Sequence, residues 1–241
     1  NFFEYLQFKK IDTHDKNEKK IIFEKNGANI NVDSLSTGEK QIVFRGTHLL
    51  KNNNSLNGGL ILIDEPELSM HPKWQEKVLS FYKNLFATNG NQTSQIIIST
   101  HSEYVLKEAL KNPDDTLVIV LHNKDGNIES TNVTTPTFLP IITSAEVNYL
   151  AFGIISNDYH IQLYSYLQSR ENKFAVKALD DYIKSQQAYI AALHRKPSTN
   201  PHGTSYETLP TYIRNAIDHP DSGNTFTIEE LETSIKLLTS L

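Results

Sequence analysis

Short, unbroken apolar runs mark the first half of the chain, and helical spacing marks the second. Leu60-Ile61-Leu62-Ile63 has the look of a central parallel strand buried on both faces, and Gln95–Ser99 reads as a second buried strand. Thr116–Leu121 reads as a third. Between and around them the pattern predicts helices from Ser36 to about Leu50, over Trp74–Phe86, and from about Glu103. Ile21-Ile22-Phe23 and Ile30-Asn31-Val32 flank the turn-prone Asn26-Gly27, so residues 1–32 read as β structure. Lys51-Asn52-Asn53-Asn54-Ser55 is a polar loop, and Lys124–Asn127 is a hairpin turn. The alternation is that of an α/β fold with a mostly parallel sheet.

Thr134-Thr135-Pro136 and Pro140 mark a boundary, after which the period changes. Glu146–Ser169 and Lys173–Leu193 read as two long helices. A Pro197–Gly203 loop follows, then shorter helices near Leu209–His219 and Ile228–Leu241. The expected division is 1–135 for the α/β part and 140–241 for an all-α part of four helices. No internal repeat is present. Trp74 is expected in the core. Tyr149, Phe152, Tyr159, Tyr164 and Tyr166 are expected to pack between helices and not to stack on bases. His160 and His194 have no partners at metal-ligand spacing and read as ordinary structural residues.

Composition narrows the function classes. A formal net charge of −5 argues against coating nucleic acid by charge alone. With no cysteine, disulfides and thiolate zinc sites are excluded, which fits a reducing cytoplasm. No apolar run reaches the roughly 18–20 residues needed to span a bilayer, so no membrane partner is expected. The chain opens on Asn1 and not Met, so a fragment is expected.

Four segments then carry chemistry, in order. Leu35-Ser36-Thr37-Gly38-Glu39-Lys40-Gln41 contains Ser36 three residues before Glu39. That spacing is a capping box at a helix start. The same exposed amides, with a glycine permitting close approach, also make a phosphate site. Second, Leu60–Ile63 ends in Asp64-Glu65-Pro66. Two adjacent carboxylates at the tip of a buried strand need a cation nearby. Asp64 suits Mg²⁺, and Glu65 suits polarising an attacking water. Third is Glu67-Leu68-Ser69-Met70-His71-Pro72, a loop placed to run along a partner subunit. Fourth, Ile96-Ile97-Ile98-Ser99-Thr100-His101-Ser102 delivers His101 to the carboxyl end of a strand, where open α/β sheets bind ligands.

These segments together resemble the ABC-type ATPases of the SMC and RecF kind, over roughly residues 20–122. The resemblance implies that Ser36 and Gly38, with Thr37, Glu39 and Lys40 beside them, meet the γ-phosphate of ATP held by the opposite subunit of a homodimer. It implies that Asp64 holds Mg²⁺ and Glu65 serves the ATP of its own subunit, with His101 as the switch histidine. No Gly-x-x-x-x-Gly-Lys-Ser/Thr loop exists in the chain. That half is expected upstream or on another polypeptide, and these residues alone are not expected to hydrolyse ATP.

In the tail, Arg214-Asn215-Ala216-Ile217-Asp218-His219 resembles the motif of HEPN ribonucleases, small four-helix domains that act as metal-free dimers. The resemblance implies proton transfer by His219, charge stabilisation by Arg214 and orientation by Asn215. A second Arg-to-His match, Arg195 to His202, falls in a proline-rich loop and is set aside. From residue 143 onward, eight Lys and Arg face eleven Asp and Glu. An RNA substrate such as tRNA would therefore need a basic surface elsewhere. An ABC head joined to a HEPN-like domain is similar to bacterial toxins and anti-phage effectors, in which an ATPase governs an anticodon nuclease and a second defence-system subunit can take part. Two other readings stand beside it: an SMC-like DNA-repair ATPase with a docking tail, and an ATPase fused to a Toprim nuclease. The tail lacks the Glu-Gly strand and Asp-x-Asp that the last requires.

Overall fold

Asn26 and Gly27 have φ values of 51° and 82°, the left-handed pair that closes a tight hairpin between β2 (Lys20–Lys25) and β3 (Ala28–Asn31). β1 (Leu6–Asp12) pairs antiparallel with β2, with a bulge between Phe8 and Lys10, giving a sheet ordered β1-β2-β3. The computed structural model describes all residues except 1, 14–18, 52–57 and 89–90. Beyond Lys51, the polar loop expected at Lys51–Ser55 lies outside the described residues. The chain divides into two units, Asn1–Asn112 and Pro113–Leu241.

In the first unit α1 (Thr37–Lys51) precedes β4 (Leu60–Asp64), and α2 (Pro72–Leu85) leads through the two-residue strands β5 (Ala87–Thr88) and β6 (Asn91–Gln92) to β7 (Gln95–Ser99) and α3 (Glu103–Leu110). β4 and β7 are parallel, in register from Leu60↔Gln95 to Asp64↔Ser99. Ile61 and Ile63 enter a core with Ile42, Val78, Tyr82, Phe86 and Val105. α1, α2 and α3 thus contribute to one core. The other face of the pair is bare among the described residues: Leu62 is 71% exposed. The expectation of a strand buried on both faces is therefore corrected, because no second layer among the described residues covers that face. Among the described residues of this unit the expected mostly parallel sheet is the β4–β7 pair, while β1-β2-β3 and β5–β6 are antiparallel. Trp74 is half-buried and packs edge-on to Phe3 at the margin of the core.

The second unit opens with β8 (Val118–Lys124) and β9 (Asn127–Val133), an antiparallel hairpin closed by Asp125 and Gly126 at φ 53° and 85°. The third strand expected in the parallel sheet is this hairpin's first arm, since local closure through the turn satisfies its backbone. α4 (Ser144–Phe152) ends at Gly153, at φ 66°, and α5 (Asn157–Arg170) restarts under a Ser156 cap. The single long helix expected there is two, because the left-handed glycine turns the chain. The second expected long helix is also split, into α6 (Val176–Ser185) and α7 (Ala191–His194).

The all-α expectation is corrected by β10 (Arg195–Thr199) and β11 (Ser205–Thr208), an antiparallel pair where a loop was expected. Buried Asp180 accepts the amides of Glu207 and Thr208 at 2.9 and 3.0 Å, pinning β11 to α6. α8 (Leu209–Asp218) follows, and α9 (Ile228–Ser240) begins with a Thr227–Glu230 capping box. Tyr159, Tyr164, Leu179, Ile213 and Ile235 form the core of this unit. His160 is fully buried against the Ser234 hydroxyl at 2.9 Å, and burial drives its pKa down to about 3. His194 Nδ1 accepts the Ile190 amide at 2.9 Å. The chain is thus a mixed α/β protein. Among the described residues no helix is long and apolar enough to cross a membrane.

Candidate functional site

The carboxyl end of the β4–β7 pair gathers the chemistry. Register places Asp64 opposite Ser99, whose hydroxyl donates to Asp64 Oδ1. Glu65, the next residue, takes φ 39° and donates its amide to the Ser99 carbonyl at 3.1 Å. A non-glycine residue in that region carries backbone strain, a feature that clusters at functional sites. The turn sets Glu65 Oε1 3.3 Å from His101 Nε2, with the imidazole largely exposed. The parallel register thus brings His101 to the edge that carries Asp64 and Glu65, although it lies on a separate stretch of sequence.

The start of α1 behaves differently from its sequence reading. Ser36 and Thr37 are exposed at the helix N-terminus, as a phosphate site requires. Gly38 is buried, and the close approach that it permits is to the chain itself: a Cβ there would stand 2.7 Å from the Ser69 carbonyl oxygen. Glu39 is 1% exposed. Its carboxylate accepts from the Tyr5 hydroxyl at 2.8 Å, the Lys25 ammonium at 2.9 Å and the Ser36 amide at 2.8 Å. Burial pushes its pKa up, yet these donors outweigh burial and hold it below the usual carboxylate range. Burial and the Glu39 charge together raise the Tyr5 hydroxyl. Lys40 Nζ donates to the Asp33 carbonyl at 2.8 Å. Glu39 and Lys40, expected beside the phosphate, are therefore engaged within the chain, Glu39 as an internal anchor of the helix start.

Arg45 and Gln75 lie outside the four sequence segments, and Glu67, Thr100 and Ser102 lie inside them with no individual role assigned there. Arg45 of α1 donates to the Asp64 carbonyl at 3.3 Å. Glu67 accepts from the Thr100 hydroxyl at 2.6 Å and the His101 amide at 3.0 Å. Gln75 bridges the Met70 carbonyl at 3.0 Å and the Ser102 hydroxyl at 2.6 Å, and Ser102 caps α3. The only local signals were the third acid in Asp64-Glu65-Pro66-Glu67 and the polar run Ser99–Ser102.

In the second unit Arg214, Asn215 and His219 lie on α8 and its C-cap. Arg214 is held by Asp218 Oδ2 at 2.7 Å and Asn215 Oδ1 at 3.0 Å. His219 is exposed, and its amide donates to the Asn215 carbonyl at 3.0 Å.

Residues 3–107 match the family model described as "AAA domain, putative AbiEii toxin, Type IV TA system". The chain is 37% identical over 91 residues to the "Retron Vc95 probable ATPase" of Vibrio cholerae serotype O1 biovar El Tor, covering 34% of this chain and 17% of that protein. It is 36% identical over 94 residues to the "Retron Ec83 probable ATPase" of Escherichia coli, covering 35% and 16%. To the "Septu protein PtuA" of Bacillus thuringiensis it is 32% identical over 114 residues, covering 43% and 26%. The matches thus span about a quarter or less of each relative. A solved structure from work on "ATP-driven dimerization and DNA stimulated activation of SMC ATPases" gives a TM-score of 0.44 at 13% identity, covering 55% of this chain and 76% of that one, and adds nothing to the assignment. Residues 3–107 are thus similar to an AAA domain family and to proteins named as probable ATPases.

The donor set fits Mg²⁺ bound together with a nucleotide. Mg²⁺ takes one or two carboxylates plus substrate phosphates and waters. Among the described residues no group of three or more His, Asp and Glu forms a cation cage, and Asp64 alone meets the smaller need. Its carboxylate is exposed at the strand tip and steadied by Ser99.

Proposed function

We propose that this chain supplies half of an ATP-hydrolysing head in a bacterial anti-phage defence system. The observation that carries the reading is the Glu65–His101 contact of 3.3 Å beside Asp64, at the carboxyl edge of a parallel strand pair. The retron and Septu names of the relatives support the defence setting. Asp64, steadied by Ser99, holds Mg²⁺, which when bound neutralises charge on the phosphates. Glu65 polarises the attacking water, and His101 meets the γ-phosphate from the same edge. Thr37 offers its helix N-terminal amide, and Ser36 its hydroxyl, to the ATP of a second copy, so two heads close around shared nucleotide. The phosphate loop comes from another stretch of polypeptide.

The test uses the native assembly, purified with whatever supplies that loop. Glu65→Gln is expected to bind Mg·ATP while losing hydrolysis by about 10²–10⁴-fold, the usual worth of a general base. It should also accumulate as a closed dimer in size-exclusion chromatography. Hydrolysis at the wild-type rate would sink the reading.

A ribonuclease tail is the second reading, favoured by the exposed His219 at the end of α8 with Asn215 and Arg214 on the preceding turns. An RNA phosphate, on a tRNA or another substrate, has to displace Asp218 from Arg214 before that guanidinium can serve it. Total RNA incubated with the assembly, with and without ATP, should be cut by wild type and spared by His219→Ala. An SMC-like DNA motor predicts instead DNA-stimulated hydrolysis and indifference to Arg214→Ala.

A further inference from the structure

A second carboxylate lies in the loop between β4 and α2, and the hydrolytic reading leaves it unused. Glu67 is 7% exposed. Its Oε1 takes the Thr100 hydroxyl at 2.6 Å and the His101 amide at 3.0 Å, while Oε2 is buried with no hydrogen-bond partner among the described residues. Burying a carboxyl with one oxygen unsatisfied is costly, so simple packing does not account for it. Both donors belong to the segment that carries His101.

The same loop holds that segment from its other side. The Met70 carbonyl takes Gln75 Nε2, and Gln75 Oε1 takes the hydroxyl of Ser102, the residue after His101. The imidazole itself is 83% exposed, so its place 3.3 Å from Glu65 is set by its backbone more than by neighbours packed on the ring. The loop also abuts α1, since Ser69 and Met70 pack against Gly38.

We propose that Glu67 is the positioning residue of this site: through Oε1 it seats the His101 backbone, holds the imidazole against Glu65, and makes the histidine move with the loop that rests on the phosphate-binding helix. The proposal rests on the ATPase reading and adds a regulatory link to it. Displacement of α1 by the opposite nucleotide shifts the 67–70 loop and His101 with it.

The experiment measures kcat, KM and Mg·ATP affinity in the native assembly, with Glu65→Gln as the control for the parent reading. If wild type does not hydrolyse ATP, or Glu65→Gln hydrolyses it normally, the ATPase reading fails and this proposal with it. With those controls in place, Glu67→Ala is expected to lower kcat on the order of 100-fold, as a misplacement near 1 Å does, with KM and affinity within about 3-fold. Glu67→Gln keeps an acceptor at Oε1 and is expected to restore kcat to within about 3-fold of wild type. Wild-type kcat in Glu67→Ala, or no rescue by glutamine, overturns the proposal while leaving the ATPase intact. Should Glu67→Ala fail to fold, Thr100→Val removes one of the two donors alone. A kcat drop of about 10-fold at unchanged KM is then expected, and an unchanged kcat overturns it.

Discussion

Gly38 and Ser69 meet backbone to backbone: a Cβ at residue 38 would lie 2.7 Å from the Ser69 carbonyl oxygen and 3.3 Å from the Trp74 ring. The neighbour is main chain, which cannot swing aside as a side-chain end would. Gly38→Ala is therefore expected to destabilise the first unit by about 1–2 kcal/mol, the overpacking cost exceeding alanine's gain in helix propensity of about 1 kcal/mol. Urea denaturation measures it, and a variant as stable as wild type would show that the 69–70 loop yields freely.

Glu39 ties the turn before β1, the end of β2 and the helix start together through Tyr5, Lys25 and the Ser36 amide. Glu39→Ala strands those donors and is expected to cost about 3 kcal/mol, near the low end for breaking a buried pair because the Lys25 side chain is 31% exposed. The folded-state pKa is depressed, so the stabilisation is present above the unfolded carboxylate pKa and is lost as pH falls through the folded value. In Glu39→Gln the acid-side decline in stability should be shallower. An unchanged acid limb would refute the assignment.

His160 gives the opposite ionic case. It is buried neutral, with its pKa driven to about 3. Between its ordinary value and that figure the unfolded chain binds a proton that the folded one refuses, so stability falls as pH drops below about 6.5. His160→Gln should flatten that part of the stability–pH curve. Its persistence in the variant would move the effect to another group.

The two faces of β4 separate packing from exposure. Ile61→Ala and Ile63→Ala, at 5% and 9% exposure, are each expected to cost about 2–4 kcal/mol. Leu62→Thr, on the bare face, should change stability by no more than about 0.5 kcal/mol in this chain. Thermal or urea unfolding of the three variants checks the contrast, and equal losses would mean that both faces are covered.

Much of the architecture could be read from local pattern. The Asn26-Gly27 and Asp125-Gly126 turns, the parallel strands, the three helices of the first unit and the ends of α8 follow from residue type and spacing. Glycine and asparagine accept positive φ, and apolar periodicity reports which face seeks burial. Gly153 is legible as a residue type, yet the apolar spacing continues on both sides of it and masks the break within Glu146–Ser169.

What the sequence determined by itself is therefore the order of the chemistry: a helix start with Ser36, a strand ending in Asp64 and Glu65, and a strand delivering His101. Tertiary structure alone decided that Leu62 faces outward, that Glu39 turns inward to Tyr5 and Lys25, and that Glu67 reaches Thr100. Periodicity states a demand for burial or a partner. Only the arrangement of elements distant in sequence settles which layer covers a face and which donor stands within 3 Å of a carboxylate.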